Sequence, residues 1–228
     1  MSIVDTMRVL QFGDSIFPVG GFTFSNGLES AVHEGHVRDA AGLRAFVRTA
    51  CARAAATDGI ALLEAHRAGR QRDLTRATYA DHALYSRKLA EEARTMSVRM
   101  GRKLTEVAAQ VTQIPTVAAW LARINERATP GCYPVSLGLV FAAHGLPEHD
   151  AFAVHQYGAA AMMLSAALRL MRITYTEAQS ILYEVNAAAD ADYERYSACS
   201  LDDMASFAPM MDILAAAHVG AHVRLFMS

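Results

Sequence analysis

The feature that most constrains this chain is a helical hydrophobic periodicity that recurs almost throughout the sequence. Apolar residues repeat every three to four positions in segment after segment, and the one extended-looking stretch is 17–24. Such a stripe lies along one face of an α-helix, whereas a strand needs alternation with a period of two. Of the 228 residues, 44 are alanine, the strongest helix former. The pattern predicts an all-α, single-domain bundle of about ten helices over 1–228.

Caps and turn residues mark individual helices. Asp39 stands where an N-cap is expected for a helix over 39–57, and Pro115 suits the first turn of another. The nearly uniformly apolar segment 149–171 is typical of the central, buried helix of a bundle. We interpret 190–200 as a polar break. Further helices are predicted over 58–69 with Asp58 as its cap, 73–112 as one long or one broken helix, 115–124, 134–144, 176–188 and 201–220.

Charge and cysteine content argue against several classes of protein. Lys and Arg number 21 against 23 Asp and Glu, for a formal net charge of −2, so the basic excess of a nucleic-acid or anionic-membrane binder is missing. The three cysteines lie far apart without a CxxC pair, which indicates neither a disulfide framework nor a zinc ribbon. The first residues lack the pattern of a secretory leader. The longest apolar stretch, 157–171, is interrupted by two polar residues and is too short to span a bilayer. We therefore expect a cytoplasmic protein that binds neither nucleic acid nor membrane.

The residue types that carry chemistry form few recognisable patterns. No GxxxxGK[ST], no GxSxG and no GxGxxG after a strand occurs, so we expect no catalytic residues and no tightly bound cofactor. His218 and His222 are spaced to share one helix face, and imidazole suits nickel and zinc. Neither HExxH nor further ligands at suitable spacing accompany them, so we expect no metal, with these two histidines as the nearest candidates. A helical-bundle enzyme that binds a metal or small ligand stays open as the alternative.

Two segments favour contacts with other proteins. The glycine-rich stretch 12–29 contains Phe22 and Phe24 beside small residues, as suits an interface anchor, although a plain structural loop is the alternative. Within it, Asn26 and Glu29 have the spacing of a capping box for the next helix. The end of the chain, 222–228, is short and apolar with one arginine. It is either a helix end or a tail that docks on another protein.

Five short segments, taken in order, resemble the pattern of the UreF family of urease accessory proteins. They span essentially the whole chain, and the ordered set is far more specific than any one segment. The segments are DSIFPVGGFTFSNGLE (14–29), ARTMSVRMGRKL (93–104), GCYPVSLGLVFAAHGL (131–146), AALRL (166–170) with EAQSIL (177–182), and RLFMS (224–228).

The resemblance implies an all-helical, homodimeric protein without catalysis of its own. Family members bridge UreD, also called UreH, and the GTPase UreG on the urease apoprotein. The assembly couples GTP hydrolysis to nickel insertion into the urease metallocentre, and the family member modulates the GTPase. The resemblance therefore implies a nickel-insertion chaperone in which nickel is handled by the complex.

Partner-facing positions follow from the same resemblance. They fall in the N-terminal segment with its glycine-rich loop, 1–24, in the residues that follow it, and in the C-terminal tail, 221–228. The positions are Phe22, Thr23, Phe24, Ser25, Glu29, Arg224, Leu225 and Phe226.

The chain departs from the family pattern at a few positions. The family often has tyrosine at Phe22, usually has Tyr-Ser in place of His222-Val223, and more usually has histidine at Cys132. Its G-Q-x-D-G-Q run reads TYTEAQ at 174–179. These departures bear on partner affinity more than on the fold, and a diverged paralogue serving a second urease remains an open alternative.

Overall fold

The computed structural model describes residues 2–14, 16–205, 208–219 and 225–226, without the side chains of Phe22 and of 215–219. The residues it describes form α-helices and short helical turns and no strand, which confirms the all-α prediction. The α-helices are α1 (Ile3–Gly13), α2 (Leu28–His33), α3 (Ala40–Ala54), α4 (Ile60–Arg70), α5 (Leu74–Arg87), α6 (Glu91–Thr112), α7 (Pro115–Asn125), α8 (Tyr133–Ala143), α9 (Glu148–Leu170), α10 (Tyr175–Asn186), α11 (Ala189–Tyr196) and α12 (Pro209–Val219).

Several helices begin where local chemistry satisfies their first backbone N–H groups. The Asp39 carboxylate accepts a hydrogen bond from the Gly42 N–H at 2.8 Å, so the predicted N-cap of α3 is confirmed. Pro115 occupies the first turn of α7, as predicted. Thr174 and Glu177 form a reciprocal capping box at the start of α10.

The buried centre of the bundle is α8, which packs against α4 and α6. Its Gly138 lies so close to α4 that a Cβ atom at this position would come within 3.1 Å of the backbone nitrogen of His66. The prediction that 149–171 forms the central, buried helix is right about its position, since α9 packs against α3, α8 and α10 among others. It is wrong about its burial, because α9 keeps one side in solvent, where Tyr157 is 47% exposed. The exposed residues of α9 recur at every fourth or eighth position among the apolar ones, and they are His149, Ala153, Tyr157, Ser165 and Arg169.

Three other local predictions were also wrong. Asp58 does not cap a new helix, because α3 continues into α4 through a π-helical turn, Ala55–Gly59. The expected polar break at 190–200 contains α11. In this helix the Tyr193 ring packs against Phe152, and the Tyr193 hydroxyl donates a hydrogen bond to Glu148. The expected helix over 201–220 starts instead with a 3₁₀ turn, Leu201–Asp203, and α12 begins only at Pro209.

One helix among the described residues, α9, is long and apolar enough to cross a membrane by length and composition. Half of its most apolar window is buried within the protein, against α3, α8 and α10 among others. The core helix of a soluble protein meets the same criteria of length and composition, so this finding is weak evidence for a membrane span.

Candidate functional site

The glycine-rich loop between α1 and α2 is organised by its backbone. Gly20 and Gly27 both have φ of +80°, the left-handed region that glycine adopts without strain. Between them the short 3₁₀ turn Gly21–Thr23 forms, and the Thr23 hydroxyl donates to the Gly20 carbonyl at 2.9 Å. The loop therefore has a defined path across α9.

The predicted capping box of Asn26 and Glu29 is wrong. Gly27 occupies the N-cap position of α2, and Asn26 is itself left-handed with φ of 54°. The Asn26 amide donates instead to the Met162 sulfur, at 3.8 Å. This leaves the Glu29 carboxylate for a different partner.

The predicted partner-facing residues of the loop differ in their exposure. Phe24 is 4% exposed and Ser25 is fully buried, so both support the loop from beneath. Thr23 is half-buried. The backbone of Phe22 lies in the 3₁₀ turn, but its side chain lies outside the described part of the chain. Partner binding by these four residues stays a prediction.

The structure brings together three of the predicted residues from opposite ends of the chain. The two Glu29 carboxylate oxygens accept hydrogen bonds from the backbone N–H groups of Leu225 and Phe226, at 2.6 and 3.1 Å. The Phe226 ring is buried, with the Arg169 guanidinium carbon 4.2 Å from its centroid. Leu225 remains exposed. Arg224, also predicted here, lies outside the described residues.

The first helix carries an uncovered apolar stripe that the sequence analysis missed. Ile3, Met7 and Leu10 follow one another at helical spacing, and all three side chains are more than 60% exposed. The opposite face is anchored by Phe12, whose ring packs against those of Phe17 and Phe141. The signal was present in the period of the apolar residues. The interpretation of 1–24 as an N-terminal segment with a glycine-rich loop does not use that period, since it assigns no helix to 3–13.

A cavity of about 1050 Å³ opens beside α1 and the glycine-rich loop. Its walls come from both of these, from α3, α6 and α9, and from α12, and most of the lining is apolar. Its polar groups include an ion pair in the wall, in which Lys88 Nζ lies 2.6 Å from Asp58 Oδ1. Burial alone would raise the Asp58 pKa, but the adjacent Lys88 and the charge of Arg53 outweigh it, so the Asp58 pKa is lowered.

His155 lies in the same wall and is buried beside Tyr133, with the two ring centroids 6.2 Å apart. Burial lowers the His155 pKa, although the Asp58 carboxylate opposes this, so the imidazole is neutral at pH 7. Its Nδ1 finds no hydrogen-bond partner within the described part of the chain. Burial also raises the Tyr133 pKa to about 12.

Asp81 is hydrogen-bonded to Thr129, Gly131 and Cys132, and we call this cluster the clip. The Asp81 carboxylate accepts hydrogen bonds from the Thr129 hydroxyl and from the backbone N–H groups of Gly131 and Cys132, at 2.5, 2.5 and 2.8 Å. Burial and the nearby Asp81 carboxylate raise the pKa of the Cys132 thiol, which therefore stays protonated and unreactive. These contacts fix the loop that leads into α8.

The described residues contain no group of three or more His, Cys, Asp or Glu side chains placed to hold a metal ion. His222 and the His218 side chain, the two candidate ligands, lie outside the described part. The surface features that this part of the chain shows are the apolar stripe on α1, the glycine-rich loop, and the bonds from Leu225 and Phe226 to Glu29.

Comparison with known proteins finds one family, both by its family model and by individual relatives. The model of the UreF family matches residues 37–186. Among similar proteins, the urease accessory protein UreF 2 of Brucella canis is 50% identical over 227 residues, covering 100% of this chain and 93% of the relative. UreF 1 of Brucella melitensis is also 50% identical over 227 residues, with 94% of the relative covered. The urease accessory protein UreF of Yersinia enterocolitica is 46% identical over 226 residues, covering 99% of each.

Proposed function

We propose that this chain, which belongs to the UreF family of urease accessory proteins, is a non-catalytic scaffold in urease maturation. In this proposal it is a cytoplasmic homodimer that assembles with UreD and the GTPase UreG on the urease apoprotein. It modulates GTP hydrolysis by UreG and enables nickel insertion. The complex handles the nickel, so the chain itself binds no cofactor tightly.

The observation that carries the proposal is the uncovered apolar stripe of α1. Ile3, Met7 and Leu10 present three large side chains to solvent from one helix, and Ile16, just beyond its end, is 86% exposed. Contiguous apolar surface of this kind marks a contact with another protein, because water contact with it is unfavourable. A scaffold needs such a surface, and UreD is the partner we assign to it.

The test is complex formation on co-expression with UreD and UreG from the same genome, measured by size exclusion with light scattering. We expect one assembly that contains all three proteins and two copies of this chain. Elution of this chain alone, with UreD and UreG folded in the same sample, would overturn the proposal.

A pair of variants assigns the contact to α1. Met7→Glu places a charge in the centre of the stripe without touching the core, so we expect the fold to persist and the complex to be lost. Val111→Glu on α6 is the matched control, since Val111 is 61% exposed but lies on another helix. Equal loss of the complex in both variants would contradict the assignment to α1.

A further inference from the structure

We propose that the cavity beside α1 and the glycine-rich loop binds a neutral aromatic alcohol, with its aromatic body among methionine side chains and its hydroxyl on Lys88 and Asp58. This site is separate from the surfaces of the function proposed above, and it requires neither UreD nor UreG. Three features support it: the size of the cavity, its apolar walls and the ion pair that lines it.

The cavity is large enough for an organic molecule and has an apolar entrance. Its volume of about 1050 Å³ lies at the upper end of the range of small-molecule sites, about 300 to 1,000 Å³. Leu10 on α1 and Leu89 in the break before α6 both line the cavity, and their side chains are 65% and 68% exposed. A molecule that enters from solvent therefore meets apolar side chains first.

Methionines form the apolar end of the cavity, beneath the glycine-rich loop. A Cβ atom at Gly21 would lie 3.1 Å from Met162 Cε and 3.3 Å from Met100 Cε, so the two methyl groups meet under this turn. Met96 and Met163 line the same cavity. Methionine side chains adapt their shape to what they contact, and their sulfur atoms make favourable contacts with aromatic rings. These walls therefore favour an aromatic body.

The ion pair of Lys88 and Asp58 provides the polar end. Both side chains line the cavity, and about 15% of each is exposed. An ammonium has three N–H donors, and within the described part of the chain Lys88 directs one of them at Asp58 Oδ1. The Thr57 hydroxyl lies 3.5 Å from Asp58 Oδ2, which is long for a hydrogen bond. The pair therefore retains both a donor and an acceptor for a ligand.

The charges at this end cancel, which favours a neutral ligand. Arg53 is near enough to act on the Asp58 pKa, but it is itself paired, with Arg53 Nη2 2.5 Å from Asp212 Oδ1. Burial lowers the pKa of the neighbouring His155, so its ring adds no charge at pH 7. A hydroxyl accepts from Lys88 and donates to Asp58 without bringing a further charge into the cavity.

The first experiment compares three probes that differ in one substituent at the same ring carbon: naphthalenemethanol, methylnaphthalene and naphthoate. Their binding to the purified full chain is measured by equilibrium dialysis. We expect naphthalenemethanol to bind at one site per chain and about tenfold more tightly than methylnaphthalene, because only the alcohol bonds to the ion pair. Naphthoate should bind about tenfold more weakly than the alcohol or worse, because burial of its charge is not compensated. Equal binding of the alcohol and the hydrocarbon, tighter binding of naphthoate, or no binding of the alcohol would overturn the proposal.

The second experiment removes the polar end with the double variant Lys88→Met and Asp58→Leu. Replacement of a buried ion pair by apolar side chains of similar volume is often tolerated. We expect the affinity for naphthalenemethanol to fall about tenfold, to the level of methylnaphthalene, while the affinity for methylnaphthalene is unchanged. A folded double variant that still prefers the alcohol would show that the ion pair does not bind the hydroxyl.

The third experiment fills the apolar part. Ala93 on α6 is half-buried and lines the cavity, so Ala93→Phe should weaken the binding of the alcohol and of the hydrocarbon about tenfold or more. Ala118→Phe on α7 is the matched control, because Ala118 is exposed and lies outside the cavity lining, and it should bind both probes as the unmodified chain does. Thermal unfolding without probes shows which variants are folded, and the two cavity variants alter different walls, so either one tests the site alone. Unchanged binding in a folded Ala93→Phe would place the probes elsewhere on the protein and contradict the proposed site.

Discussion

Lys88 and Asp58 form a buried ion pair across two elements that are far apart in the sequence. Their charged atoms lie 2.6 Å apart, and only about 15% of each side chain is exposed. Lys88 lies in the break between α5 and α6, and Asp58 lies in the π-helical turn between α3 and α4. The pair therefore fixes the position of the break relative to the turn.

The first prediction is that Lys88→Met destabilises the protein by about 3 to 5 kcal/mol, because it leaves the Asp58 carboxylate buried without its partner. The double variant Lys88→Met with Asp58→Asn should recover most of the lost stability, since no buried charge then remains. The measurement is the free energy of unfolding in urea. Lys103→Met, at a site where half of the side chain is exposed, should change it little. A double variant no more stable than Lys88→Met would contradict this account.

The second prediction concerns acid sensitivity. Burial lowers the folded-state pKa of His155, and burial also lowers that of His66 despite its bond to the Leu146 carbonyl. The pKa of histidine in the unfolded chain is about 6.5. Below that pH, the unfolded chain binds more protons at these two sites than the folded chain does. Stability should therefore rise with pH up to about 6.5 and decline as the pH falls below it.

The check is the pH dependence of the free energy of unfolding between about pH 5 and 7. His155→Gln should flatten the slope by up to about 1.4 kcal/mol per pH unit, the limit for one proton. A slope that His155→Gln does not alter would show that this histidine is not held neutral by burial.

The third prediction is that Asp81→Ala destabilises the protein by about 3 kcal/mol. It would leave the Thr129 hydroxyl and the N–H groups of Gly131 and Cys132 buried without their acceptor. Asp190→Ala, an exposed aspartate on α11, should have a much smaller effect. The measurement is again urea unfolding. Similar losses in the two variants would contradict a structural role for the clip.

Sequence reasoning succeeded where one local segment decides the outcome and failed where two distant segments meet. The start of α3 at Asp39 follows from a side chain and an N–H three residues apart. Glu29 fits a capping box by its spacing, but its bonds reach residues 196 and 197 positions later, and no local pattern encodes that pairing. The same holds for Asp58, a good cap by residue type that pairs with Lys88 instead.

The fourth prediction uses two glycines that the sequence does not distinguish, since both lie inside long helices. A Cβ atom at Gly101 on α6 would lie 2.6 Å from the Tyr133 nitrogen and 2.7 Å from the Cys132 carbonyl carbon, and neither backbone atom can move aside easily. Gly101→Ala should therefore destabilise the protein by about 3 kcal/mol or prevent folding. At Gly158 on α9 nothing lies within 4 Å of the added atom, so Gly158→Ala should stabilise the helix by about 0.5 to 1 kcal/mol. The measurement is thermal unfolding of the two variants. A loss of stability in Gly158→Ala equal to that in Gly101→Ala would contradict the account that close packing against the residues before α8 makes Gly101 necessary.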